Sequence, residues 1–197
     1  MHIYTSSDCG RSWAIAYTFA PGEIRHVHNV IFDPWQGCLW ILTGDSGPEC
    51  RIISASCDFA RVETILTGSQ QTRAAALVPT REGVVFSTDT PSQQNHIYLL
   101  DRSGNLETLA ELSSSSIYGC AAGSSLFFST MAEPSSTNTA EEVRLYGSAG
   151  GGTLGKSSAV QEGPVADAIV SVWKHFSSRW TQSHEHSRSD DLRCLRR

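Results

Sequence analysis

Three acids recur at even intervals: Asp45, Asp89 and Glu133, 44 residues apart each time. Each closes an apolar run through a Thr- or Ser-rich step: Ile-Leu-Thr-Gly-Asp45, Phe-Ser-Thr-Asp89 and Ser-Thr-Met-Ala-Glu133. Each is soon followed by a proline, Pro48, Pro91 or Pro134. Upstream, a polar side chain opens another apolar run at His28, Arg73 and Tyr118, 45 residues apart. His26 shares a strand face with His28, and Arg25 precedes them. Paired carboxylates can serve as acid and base, or acid and nucleophile, in glycoside hydrolysis. An arginine can clamp a sugar carboxylate through two hydrogen bonds. Asp45, Asp89 and Glu133 are therefore catalytic candidates, and Arg25, His26, His28, Arg73 and Tyr118 substrate-binding candidates. A blander reading stands beside this one. An acid after a strand commonly bonds the backbone of a turn, so a repeated acid can simply repeat a turn.

No metal or other cofactor is expected. His184-Glu185-His186, with His175 and Cys194, matches no strong ligand spacing. Gly150-Gly151-Gly152 lacks the Lys-Ser/Thr of a phosphate loop, and no G-x-S-x-G elbow occurs. The 6 cysteines, at positions 9, 38, 50, 57, 120 and 194, include no C-x-x-C pair. They read as mostly free, buried thiols, with Cys50 and Cys57 as one pair that a strand connection could bring together.

These residues need elements to position them. Of 197 residues, 18% are charged and 28 are serine, with 16 glycines and 7 prolines spread along the chain. That composition argues against helical bundles and for short strands joined by turns. The order of runs repeats. A first run (Val30–Phe32, Ala74–Val78, Ile117–Ala122) meets a turn, and a second follows (Cys38–Leu42, Val84–Phe86, Leu126–Phe128). A third run comes after the acid (Arg51–Ser54, Ile97–Leu100, Val143–Tyr146). A fourth closes the unit (Val62–Leu66, Leu106–Leu109, and a poor one near Leu154). Four short strands per roughly 45 residues is the blade of a β-propeller. The expected fold is all-β: three four-stranded blades, preceded by a half blade of strands at His2–Thr5 and Ala14–Phe19. In a propeller the acids and the strand openers surround one mouth of the central channel.

Between the first two strands lies Ser6-Ser7-Asp8-Cys9-Gly10-Arg11-Ser12-Trp13, an S-x-D-x-G-x-S-W pattern. Ser56-Cys57-Asp58-Phe59 is a weaker copy, and Asp101-Arg102-Ser103-Gly104-Asn105 keeps the turn chemistry without the full motif. The pattern resembles the Asp-box, or BNR repeat, of propellers whose best-known members are the sialidases and related glycoside hydrolases. The resemblance covers residues 1–158 and implies glycan hydrolysis or glycan binding at the channel mouth. Sialidases hold the substrate carboxylate with three arginines, of which Arg25 and Arg73 would be two. The Phe/Tyr-Arg-Ile-Pro signature of that family is absent. A non-catalytic propeller that binds a carbohydrate or a protein is therefore the alternative.

Residues 159–197 carry no further strand-turn-strand unit. Ala168, Ile169, Val172, Trp173 and Phe176 form a helical stripe, followed by a Ser/His/Arg-rich tail. Residues 174–197 hold six basic and three acidic residues, which leaves the rest of the chain at −8 against −5 overall. An acidic body speaks against nucleic acid as a partner. No apolar run reaches the roughly 20 residues of a membrane span. The start carries no signal-peptide pattern, which leaves the compartment open and cytoplasmic by default. A six-bladed ring of this type needs about 270 residues at roughly 45 per blade. The chain is accordingly expected to be part of a longer propeller, silent as a catalyst by itself and prone to associate through its open edges.

Overall fold

A computed structural model describes residues 1–148. The poor strand near Leu154, the helical stripe and the tail lie outside the described residues. Four antiparallel sheets follow one another in chain order. The first pairs β1 (His2–Thr5) with β2 (Ala14–Thr18). The second is a meander of β3 (Val27–Asp33), β4 (Cys38–Thr43), β5 (Arg51–Ser56) and β6 (Val62–Thr67). The third repeats it with β7 (Ala74–Pro79), β8 (Gly83–Thr88), β9 (Asn95–Asp101) and β10 (Leu106–Leu112). The fourth contains β11 (Ser116–Ala122), β12 (Ser125–Thr130) and β13 (Leu145–Gly147). None of the sheets closes on itself. The helical pieces among the described residues are two single turns, Gly47–Glu49 and Gln70–Thr72. None is long and apolar enough to cross a membrane.

Alternation along the strands sends residues to both faces, and the two middle sheets bury both. Trp40, Leu42 and Ile52 of the second sheet pack on Leu77, Val84, Phe86 and Leu100 of the third. The other face of the second sheet, through Ile41, Ile53 and Ala55, takes Phe19, Ile3 and Tyr17 from the first hairpin. The other face of the third, through Val78, Val85 and Ile97, takes Phe128 and Leu126 from the fourth. This explains why Val84–Phe86 reads as an unbroken apolar run and Gly83–Thr88 is buried at every position. The leading strands lie side by side, with β7 between β3 and β11.

The register corrects one expectation. Val27, Ala74 and Ser116 occupy equivalent places, opposite Thr43, Thr88 and Thr130. In each sheet the next residue, His28, Ala75 or Ile117, falls at a register shift. Hence His28, Arg73 and Tyr118 are not equivalent, despite their equal spacing. Arg73 corresponds to His26 and Ser115, whose carbonyls accept from Gly44 and Met131 as that of Arg73 accepts from Asp89. Loops of unequal length happen to restore an even interval between the acids.

The cysteines also differ from expectation. All five described ones are free, but Cys9, Cys57 and Cys120 are exposed and only Cys38 and Cys50 are buried. Cys57 lies in an exposed turn, where its thiol faces the Gly37 carbonyl rather than Cys50.

Candidate functional site

The loops that leave each second strand, together with those that enter each first strand, lie at one end of the sheets. Threonines at one register position fasten the former. Thr43 donates to the Glu49 carbonyl at 2.8 Å, Thr88 to the Asn95 side chain at 2.8 Å, and Thr130 accepts from the Arg144 N–H at 2.8 Å. A buried network then ties neighbouring loops. Asn95 donates to Asn138 at 2.8 Å and to the Thr90 carbonyl at 2.8 Å. Gln70 donates to the Asp45 carbonyl at 2.9 Å and accepts from Thr90 at 2.9 Å. The repeated Thr thus serves the loops.

The acids do something further. Gly44 has φ of 78°, and a Cβ there would meet the Glu49 carbonyl oxygen at 2.0 Å, so glycine is required for the turn. That turn aims Asp45 back over β3. Its carboxylate lies 3.5 Å from His26 Nδ1, 3.8 Å from His28 Nε2 and 3.3 Å from Arg73 Nη2. The same Arg73 nitrogen reaches Asp89 at 3.4 Å. Five of the eight sequence-selected residues, from two sheets, therefore form one cluster. His28 and Asp89 are well buried, Arg73 nearly so, and Asp45 and His26 remain open to solvent.

Burial pushes the Asp89 carboxyl above its ordinary range, and the opposing pull of Arg73, the Ser115 hydroxyl and His28 does not fully offset it. Glu133 adds to the upward push. His28 Nδ1 lies 2.7 Å from the Ala74 carbonyl. A carbonyl only accepts, so Nδ1 carries a proton and Nε2 faces Asp45. Arg73 Nε is buried without an acceptor among the described residues, and the guanidinium meets both carboxylates through Nη2.

Three candidates stand apart. Glu133 is exposed and influences Asp89 by charge only. Arg25 is held by Glu49, which accepts its backbone N–H at 3.0 Å and faces its Nε at 3.7 Å. Tyr118 lines a separate, largely apolar cleft of about 450 Å³ with Asn29, Ala76, Phe127 and Leu145.

At the opposite end, the hairpin turns spend their acids locally. Asp8 accepts from the Ser12 N–H at 2.9 Å and the Ser12 hydroxyl at 2.7 Å, while Ser6 accepts from the Gly10 N–H at 2.8 Å. Trp13 donates to the Gly10 carbonyl at 3.1 Å. Asp101 repeats the pattern, with Asn105 in the place of Ser12: N–H and side chain both donate at 2.8 Å. Asp58 accepts from the Ala60 N–H at 3.0 Å and the Ser56 hydroxyl at 2.6 Å. These bonds hold the Asp8 carboxyl down to about 2 and lower Asp58 and Asp101 as well.

Sequence reasoning missed the supporting residues. Gln70 and Ser115 hold the cluster from loops whose partners are distant in sequence, and no local signal marks them. It also missed Asp33, which has no exposure and pairs with Arg102 at 2.5 Å and with the Trp40 indole at 3.0 Å. No family model matches the chain, and no curated protein matches it.

Proposed function

We propose that these sheets are blades of an Asp-box β-propeller and that its channel mouth binds a carbohydrate. The blade reading draws on the serial four-stranded meanders, the central place of β7 between β3 and β11, and the three Asp-anchored hairpin turns. One observation carries the binding reading: Asp45, Asp89, His26, His28 and Arg73 converge into a half-open cluster of mixed donors and acceptors. Such a cluster suits sugar hydroxyls, each of which both donates and accepts.

Binding is favoured over hydrolysis. Paired glycosidase carboxyls need open space between them for the scissile bond. Here Arg73 occupies the space between Asp45 and Asp89 and already faces both. Its charge is thereby matched, which also disfavours the clamping of a sialic acid carboxylate.

A glycan array and a fluorogenic glycoside panel on the full chain test this reading. Binding without turnover is expected, weakened about 10- to 100-fold by Asp45→Asn, as for loss of a hydrogen bond to a charged group. Turnover abolished by Asp89→Asn would replace it with hydrolysis. Absence of any glycan binding would remove it.

A second reading, a protein-binding scaffold, rests on the outward face of the first hairpin. Tyr4, Trp13 and Ile15 are 55%, 64% and 54% exposed there.

A further inference from the structure

We propose that His26, His28 and Asp45 form a binding site for a divalent transition-metal ion of the zinc class. Among the described residues these three bring one ligand atom each, all within 4.8 Å of one another. Ligands of a tetrahedral ion bound at roughly 2.0–2.1 Å stand about 3.3 Å apart. His26 Nδ1 already lies 3.5 Å from Oδ2 of Asp45, and His28 Nε2 lies 3.8 Å from its Oδ1. Small side-chain rotations close the remainder.

The surroundings are those of a ligand set. His28 donates from Nδ1 to the Ala74 carbonyl, a bond that orients the ring and turns Nε2 towards the Asp45 side. Metal-bound imidazoles are oriented by bonds of this kind. The two rings lie 4.5 Å apart, tilted by 39°. Arg73 holds Oδ1 of Asp45 and leaves Oδ2, the oxygen nearest His26, for an ion. Asp89 faces the same guanidinium nitrogen, so a second carboxyl group helps to offset the arginine's charge beside the site. Gly44 and the Gln70 bond to the Asp45 carbonyl fix the loop that carries the carboxylate. Two imidazoles and one carboxylate leave coordination positions open on the exposed side, where water or a sugar hydroxyl would complete the shell.

The inference does not depend on the carbohydrate reading, because it concerns the ion alone. Zn²⁺ titrated into the full chain by calorimetry, with Co²⁺ absorption as a second readout, tests it. One ion per chain is expected, with a visible cobalt spectrum that lacks a thiolate charge-transfer band. Asp45→Asn and His28→Ala are each expected to weaken binding at least about tenfold. His28 is well buried, so His26→Ala, at a half-exposed position, provides a variant that puts the fold less at risk, and it should weaken binding as well. No zinc uptake, uptake unchanged by His26→Ala and Asp45→Asn, or a thiolate band from the exposed cysteines would overturn the assignment.

Discussion

The two ends of the sheets use aspartate in opposite ways. At the hairpin end, Asp8, Asp58 and Asp101 accept from N–H groups no more than four residues away, and each is stabilised as a carboxylate. At the mouth, Asp45 reaches across sheets to Arg73, Asp89 meets the same guanidinium from within its own sheet, and burial makes Asp89 harder to ionise. A locally satisfied acid reports a turn, whereas an acid held by distant residues at a cost in desolvation reports an assembled site. Asp33 qualifies the contrast: it sits at the hairpin end, yet its ion pair with Arg102 joins the second and third sheets.

Arg102→Met should produce the largest change. It strands a fully buried Asp33 carboxylate, and breaking such a pair costs about 3–5 kcal/mol. Urea unfolding should register a correspondingly lower midpoint, although no mouth residue is touched. An unchanged midpoint would mean that the hairpin end carries no long-range electrostatic tie.

Gly44→Ala comes next. Positive φ and the close approach of the Glu49 carbonyl oblige the loop to move, at about 1–3 kcal/mol for the strained backbone. The loss of Asp45 from the cluster should then appear as a loss of ligand binding larger than the loss of stability explains. Gly104 also has positive φ, 88°, but no atom lies within 4 Å of its added Cβ, so Gly104→Ala should spare binding.

The pH dependence should carry opposite signs at the two ends. Asp89 has a raised folded pKa, so its contribution is present at low pH and declines as pH rises from its ordinary value of 3.8 through the folded value. Asp89→Asn should remove that decline. Asp8, held near 2 against 3.8, contributes stability above about pH 4 that is lost as the pH falls towards 2. Asp8→Asn should flatten this acid limb and leave the neutral range unchanged, the smallest of these effects for so exposed a group. Unfolding curves at stepped pH check both.

Much of this arrangement was legible in the sequence because it is local. The strand runs, the Ser6–Trp13 turn and its echo at Asp101–Asn105 depend on residues a few positions apart. Of the eight residues selected, Asp45, Asp89, His26, His28 and Arg73 lie together because loops at the same end of a meander are neighbours, while Glu133, Arg25 and Tyr118 stand apart. Equating His28, Arg73 and Tyr118 failed because a register shift in each leading strand and unequal loops separate spacing from position. Tyr118 consequently faces a different cleft. The Asp33–Arg102 pair and the Asn95–Asn138 bond were not legible, since each joins residues more than 40 apart with no compositional mark.

Amide chemical-shift mapping of the full chain against a panel of neutral and acidic monosaccharides and their glycosides tests the central claim most directly. Perturbations are predicted at the mouth, around residues 26–28, 44–50, 73 and 89–95, with the turns at 6–13, 56–61 and 101–105 silent. Perturbations confined to those hairpin turns, or none with any sugar at millimolar concentration, would contradict it.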